Sequence, residues 1–340
     1  MRFFQFLVVF TFFSSGCIRT AIVKFYEPAA IDVSSMNRIV VLEFEGEQGK
    51  SVANSLSGQL WQNEFYTVVD RSELSHELQL AAFEQSDEKV HRYHEILAPA
   101  RSKGIDGVIM GEVREYRCED KQVRRTSLTA SNGGGMIGSN RATGSGIGLE
   151  FRENLVREAV VTVAFRLVDV ETGEIRASRE VSHKLSEEHE LASGKQVSQS
   201  EVLQRLTQEC LDEIVGMLAP HEATSQIQLA VCDVWTKGRR DVKEGNRQAV
   251  LGRWEQAEHH WQTALQIEPN NHAALFNLAV AADHRHEYAI AEEFAMQALR
   301  LQHKTCYTEG LDKIRTHRTA TEKAAEQRDA RAVTTLEEAW

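Results

Sequence analysis

Arg157–Ser182, REAVVTVAFRLVDVETGEIRASREVS, is the stretch on which the fold turns. Ala159, Val161, Val163, Phe165 and Leu167 alternate onto one face, and Thr162, Ala164 and Arg166 on the other are smaller or more polar. Period two with β-branched enrichment predicts a long strand with one buried side. Asp169-Val170-Glu171-Thr172-Gly173-Glu174 supplies a turn in which Gly173 is free to take positive φ. Ile175, Ala177, Arg179 and Val181 then alternate as the return strand. The segment reads as a β-hairpin, and the residues from Arg38 to Leu218 read as packing against it.

Working back from the hairpin, Arg38–Phe44 (RIVVLEF) is apolar on both faces early on, the mark of a central strand. Lys50–Asn63 predicts a helix with Val52, Leu56, Leu60 and Trp61 as its stripe. Phe65–Arg71 predicts a second strand, and Ser72 an N-cap for a helix with Leu74, Leu78 and Ala81 inward. Glu84–Gly104 predicts a further helix, and Gly107–Val113 (GVIMGEV) a third strand. Helices alternating with strands place the first three strands in an α/β layer, which the hairpin extends in antiparallel fashion. Between them, residues 117–153 hold Gly133–Gly135, Gly138, Gly144, Gly146 and Gly148 among Ser, Thr and Asn, and read as a flexible excursion. Neither a strand before nor a helix after makes Gly144–Gly148 a phosphate loop.

Lys184–Ser200 reads as a polar connection and Val202–Leu218 as a helix, with Leu203, Leu206, Cys210, Ile214 and Leu218 on one stripe and Pro220 as its stop. His221–Lys237 fits either a short strand or a linking helix. From Glu244 to Leu301 the chain repeats. Gly245, Trp254, Ala257 and Ala264 recur, at one constant offset, as Ala279, Tyr288, Ala291 and Ala298. That offset and the small and aromatic residues that keep it are the tetratricopeptide pattern. Two such units are expected, the first followed by Pro269, with His303 where the second closing proline would fall. By repeat position, Asn246 and Ala249 in the first unit and Phe276, Asn277, Val280 and His284 in the second line a concave peptide-binding surface. Asparagine amides suit peptide backbone, which offers one donor and one acceptor per residue.

The N-terminus, MRFFQFLVVFTFF, places one positive charge before a short apolar core, a signal-peptide layout. Ser14-Ser15-Gly16-Cys17 follows and resembles the bacterial lipobox, with Ser14 departing from its usual Leu. The resemblance implies a lipidated Cys17. Ile18, rather than an acidic residue, implies the periplasmic face of the outer membrane. Cys118, Cys210, Cys232 and Cys306 match no zinc spacing. Four thiols are the preferred reading, with a Cys210–Cys232 disulfide left open.

A net charge of −11 argues against nucleic acid as main partner and against broad contact with anionic lipid. No third ligand is spaced to complete a metal site around His91 and His94 or around His284 and His286. No Gly-x-Ser-x-Gly elbow or cysteine–histidine arrangement is legible. The expectation is therefore no enzyme, no metal and no cofactor.

Taken together, residues 26–219 resemble the curli secretion channel family, CsgG. The blocks that carry the likeness are Pro28-Ala29, Arg38–Phe44, Phe65–Arg71, Gly107–Val113 and Phe165–Glu174. The resemblance implies a periplasmic α/β domain on an outer-membrane lipoprotein, in some members assembled as a ring. Channel members also carry two membrane-inserting hairpins, which would fall at 117–153 and 184–200. Those segments are glycine-rich or too short for spans of about nine to eleven residues with aromatic girdles, so the pore is not carried over.

The expected organisation is a signal peptide at 1–16, a lipidated cysteine and tether at 17–37, and a CsgG-like mixed α/β domain with flanking helices at 38–220. A linker at 221–240 leads to an all-α tetratricopeptide module at 241–308 and a capping helix with charged tail at 309–340. The expected role is a membrane-anchored, protein-binding component of envelope assembly or export, with homo-oligomerisation left open. The rivals are an oligomeric secretion pore and a regulator of a cell-wall synthase.

Overall fold

The computed structural model describes residues 19–31, 33, 36–73, 97–131, 146–190 and 197–337. The leader, Cys17, the Leu74–Ala81 stripe and 132–145 lie outside the described residues. In chain order the elements are β1 (Thr20–Glu27), β2 (Arg38–Val41), α1 (Gly49–Asn63), β3 (Thr67–Val69), β4 (Gly107–Ser131), β5 (Gly146–Asp169) and β6 (Ile175–Glu190). They continue as α2 (Gln199–Leu218), β7 (His221–Gln228), α3 (Arg239–Val250), α4 (Trp254–Ile267), α5 (His272–His284), α6 (Tyr288–Leu301) and α7 (Thr305–Glu337). Backbone contacts divide the chain into two units. A sheet unit holds Pro28–His221 and the residues from Glu326. A helical unit holds β1 and Glu222–Ala325. Among the described residues no helix is long and apolar enough to cross a membrane.

The sheet unit carries five strands in the order β3-β2-β4-β5-β6. β2 runs parallel to both β3 and β4, whereas β4–β5 and β5–β6 are antiparallel, as the hairpin reading requires. Ile39 and Val41 of β2 join Val161, Val163, Phe165 and Leu167 in one core, packed with α1 and α2. Val40 and Leu42 face a second core with Leu97, Ala100, Val108 and Val168. β2 is thus central and buried on both faces. Asp106 Oδ2 accepts the backbone N–H groups of Asn37 and Arg38 at 2.8 and 2.7 Å, which fixes where β2 begins. In the hairpin turn Gly173 takes φ +73°, as expected.

On α1, Val52, Leu56 and Leu60 are buried, but Trp61 is 67% exposed. At 100° per residue Trp61 stands about 180° from Val52, so it cannot share the stripe. Ser198 caps α2 by accepting from the Glu201 N–H at 3.1 Å, and Tyr66 donates to the Leu218 carbonyl at 2.6 Å at its far end.

Two connections are corrected. The described parts of 117–153 are strand: β4 and β5 stay paired from Gly107↔Asp169 to Ser131↔Gly146. At about 3.3 Å per residue this ribbon is on the order of 80 Å long. β6 accompanies it as far as Asn154↔Glu190, so the first part of the expected polar connection at 184–200, residues 184–190, is strand as well. Polar residues on both faces hide a strand from periodicity, but cross-strand hydrogen bonds and charge pairs still hold it. Examples are Lys121 with Glu158 at 2.7 Å and Arg157 with Asp120.

In the helical unit, part of the expected tether is strand: β1 pairs with β7 in a two-stranded sheet. Ala21, Val23 and Phe25 are buried between exposed neighbours. The charged tail is also ordered as helix through Glu337. Within the sheet unit Gln327 exchanges hydrogen bonds with the Ala29 backbone at 2.8 and 3.2 Å, and Arg328 donates to the Pro220 carbonyl at 3.1 Å.

Candidate functional site

The helix boundaries keep the period of the sequence. α3 and α5 end one repeat apart, at Val250 and His284. α4 and α6 begin one repeat apart, at Trp254 and Tyr288. The two intervening turns each place one residue at positive φ, Gly252 at +73° and His286 at +61°, at the same offset. Short connections fold each helix back on the one before. The close approach is made by small residues: Ala257, Ala264, Ala291, Ala295 and Ala298 are fully buried. Gly245 lies under the Trp261 indole, where an added Cβ would sit 2.4 Å from Nε1.

Within this helical stack the two asparagines hydrogen-bond a backbone segment of the chain itself. Asn277 Oδ1 accepts from the Ala230 N–H at 2.7 Å. The Ala230 carbonyl accepts from Asn246 Nδ2 at 2.8 Å and from Asn277 Nδ2 at 3.1 Å. Asn246 Oδ1 in turn accepts from Asn277 Nδ2 at 2.7 Å and Trp261 Nε1 at 3.0 Å. Both amides are thereby satisfied in a core where an unpaired group would cost about 1–3 kcal/mol. Asn271 extends the pattern: Oδ1 caps α5 at the Ala274 N–H, 3.0 Å away, and Nδ2 donates to the Lys237 carbonyl at 3.0 Å.

The peptide bound is the chain's own. Ile227, Leu229, Ala230 and Cys232, with Ala21 and Val23 of β1, share one core with Ala249, Phe276 and Val280. Asn246, Ala249, Phe276, Asn277 and Val280 are 0–2% exposed, so the expected open concave surface is corrected to a filled one. Phe276 stacks on Tyr307 at 4.6 Å. His284 is half-buried and stacks on the Trp254 ring at 4.4 Å. The physical reason is that apolar residues lining a groove are covered by whatever segment is tethered nearest, and the linker before α3 is tethered at very short range.

The four described cysteines are free thiols. Burial pushes Cys210 up to about 11, which keeps it protonated and inert. Among the described residues no three His, Cys, Asp or Glu side chains gather as a metal cluster.

His272 gives the helical unit a pH dependence. Its Nδ1 lies 2.6 Å from Tyr307 Oη in the core. Burial, then the nearby Lys304 charge, holds its pKa below the usual histidine value, against a smaller opposite pull from Asp233. His284 is lowered too, by burial first. In the unfolded chain both return to about 6.5, so the unfolded state binds more protons below that value. Their contribution is complete above about pH 6.5 and falls as pH drops toward the folded-state pKa. Thermal unfolding at a series of pH values is expected to show the midpoint falling below pH ~6.5, with a shallower fall in His272→Gln. An unchanged slope in that variant would contradict the assignment.

A second feature escaped sequence reading. A cleft of about 670 Å³ is lined by Arg19, Arg240, Asp241, Lys243, Glu244, Arg247 and His260. The basic spacing Arg240–Lys243–Arg247 along one face of α3 is legible in the sequence, but the approach of Arg19 from the N-terminus is not.

Residues 18–258 match the family described as the curli production assembly/transport component CsgG. The match runs past residue 219, through β7 and α3 into α4. No curated protein matches the chain. Among solved structures it is similar to a PelC dodecamer from Paraburkholderia phytofirmans, at 17% identity over 58% of this chain and 96% of that one, TM-score 0.27. It is similar to lipoprotein GNA1162 from Neisseria meningitidis, at 14% identity over 53% and 98%, TM-score 0.29. The LpoB C-terminal domain from Salmonella enterica is 13% identical over 43% and 82%, TM-score 0.24.

Proposed function

Because the chain belongs to the CsgG family of curli production assembly/transport components, we propose that it is an outer-membrane lipoprotein of envelope assembly or export. It is anchored through Cys17 at the periplasmic face and works by holding partner proteins rather than by turning over a substrate. The observation that supports this reading is the attachment of a family-type sheet unit to a helical stack whose helix boundaries recur with the period of the sequence repeat. We read that stack as two tetratricopeptide units, closed by α7. Since Asn246, Ala249, Phe276, Asn277 and Val280 already hold the 227–232 segment, partners meet the outer faces of the helices.

In-cell crosslinking of the full chain, followed by identification of what is captured, tests the role. Envelope proteins are expected; cytosolic partners, or turnover of a substrate by purified protein, would overturn it. The mass of the membrane-extracted protein tests the anchor. Acyl chains on a chain beginning at residue 17 are expected, and Cys17→Ser should abolish them.

The β4–β5 ribbon favours one second reading. It occupies the place where channel members carry a membrane hairpin. Its register sets Thr126 opposite Phe151, Leu128 opposite Leu149 and Ala130 opposite Ile147, alternating with polar pairs such as Arg125–Arg152. That alternation is a barrel-strand trait. Absence of single-channel conductance from folded, reconstituted protein removes the pore reading.

A further inference from the structure

We propose that the Arg19–Arg240–Lys243 cleft binds the phosphate of an anionic phospholipid headgroup in the leaflet that holds the acyl anchor. Position comes first. The Arg19 carbonyl accepts from the Leu229 N–H at 2.8 Å, which ties this residue to the helical unit. Arg19 Nη1 donates to the Lys243 carbonyl at 3.4 Å, which seats the guanidinium on α3. Cys17 is two residues earlier, and two peptide steps span at most about 7 Å. An acylated Cys17 therefore holds this cleft at the membrane surface. That step rests on the lipidation reading above.

Charge comes second. On a chain of net charge −11, four cationic side chains here face two carboxylates. One carboxylate is already taken: Glu244 Oε1 accepts from Gln248 at 2.7 Å and from Arg247 at 2.8 Å. Arg240 and Lys243 are exposed and form no ion pair among the described residues. Arg19, Arg240 and Lys243, set against the one remaining carboxylate of Asp241, leave the cleft net positive toward an outside anion. Each cation near an anionic bilayer raises partitioning about fivefold.

The test uses the mature chain from residue 17 carrying Cys17→Ser, so that no acyl chain contributes. Cosedimentation is compared on phosphatidylethanolamine vesicles with and without phosphatidylglycerol. Binding is expected only with phosphatidylglycerol, falling about fivefold in each of Arg240→Gln and Lys243→Gln and roughly 25-fold in the double variant. Added salt should weaken it. Arg300→Gln, an exposed cation elsewhere on the same unit, should leave it unchanged, and unfolding midpoints should stay constant throughout. Equal binding to both vesicle types, or a double variant that binds like its parent, would overturn the proposal. Displacement by millimolar inorganic phosphate would overturn the lipid assignment in favour of a free-phosphate site. The anchor is read separately, from the mass of the wild-type protein, so the two readings fail independently.

Discussion

Trp261→Ala is expected to destabilise the helical unit by about 3–5 kcal/mol. The indole is fully buried and among the largest side chains in the core. It fills the space left by Gly245, and its Nε1 donates to Asn246 Oδ1 at 3.0 Å. Alanine would leave a cavity that the alanine-lined helices around it cannot collapse into, because their backbones are already in close approach. It would also remove one of two donors from Asn246, the amide that holds Ala230. Trp261→Phe separates the two effects: most of the volume stays, the donor goes, and a loss of about 1–2 kcal/mol is expected. Urea unfolding of full-length protein checks both. A loss under about 1 kcal/mol for alanine would mean that the ladder and the packing around it are not the core of this unit.

Arg157→Leu is expected to cost a similar amount, about 3 kcal/mol, in the sheet unit. Arg157 is 4% exposed on a strand whose neighbouring positions are otherwise apolar or paired. Its Nε and Nη2 donate to the two carboxylate oxygens of Asp120 at 2.7 and 2.9 Å, and its Nη1 donates to the Val197 carbonyl. Gln199 Nε2 reaches the same carboxylate at 3.0 Å. One guanidinium therefore ties the ribbon to the entry of α2. Leucine would strip two donors from a carboxylate that is only 23% exposed and remove the donor from the Val197 carbonyl. Removing both charges is milder than removing one, so Arg157→Leu with Asp120→Leu should recover part of the loss. A double variant no better than the single one would show that Asp120 is not the group that suffers.

Much of the sheet unit is readable in advance, for a stated reason. β5 buries the face that carries Ala159, Val161, Val163, Phe165 and Leu167, so these alternate, and the turn after it places residue 173 at positive φ, so glycine stands there. The β4–β5 ribbon is less legible where both faces carry polar groups: Glu119, Asp120, Lys121 and Gln122 show no apolar period, and only the partner strand makes them a strand. β7, HEATSQIQ, is hidden in the same way, with a single buried residue, Ile227. β1 does alternate, but nothing near it in the sequence can pair with it; its partner, β7, comes only after all five strands of the other sheet. Trp61 shows the opposite error, an apolar residue read into a stripe that helical geometry excludes it from.

The candidate site divides along the same line. The sequence alone determined the repeat period, the small residues at helix crossings and the suitability of Asn246 and Asn277 for backbone, because these depend on spacing and side-chain chemistry within one short stretch. Only the tertiary structure decided which backbone they hold and where Arg19 rests. Coverage of the groove depends on how the adjacent 227–232 segment and the far-off β1 strand are delivered to it, and no local pattern encodes that delivery.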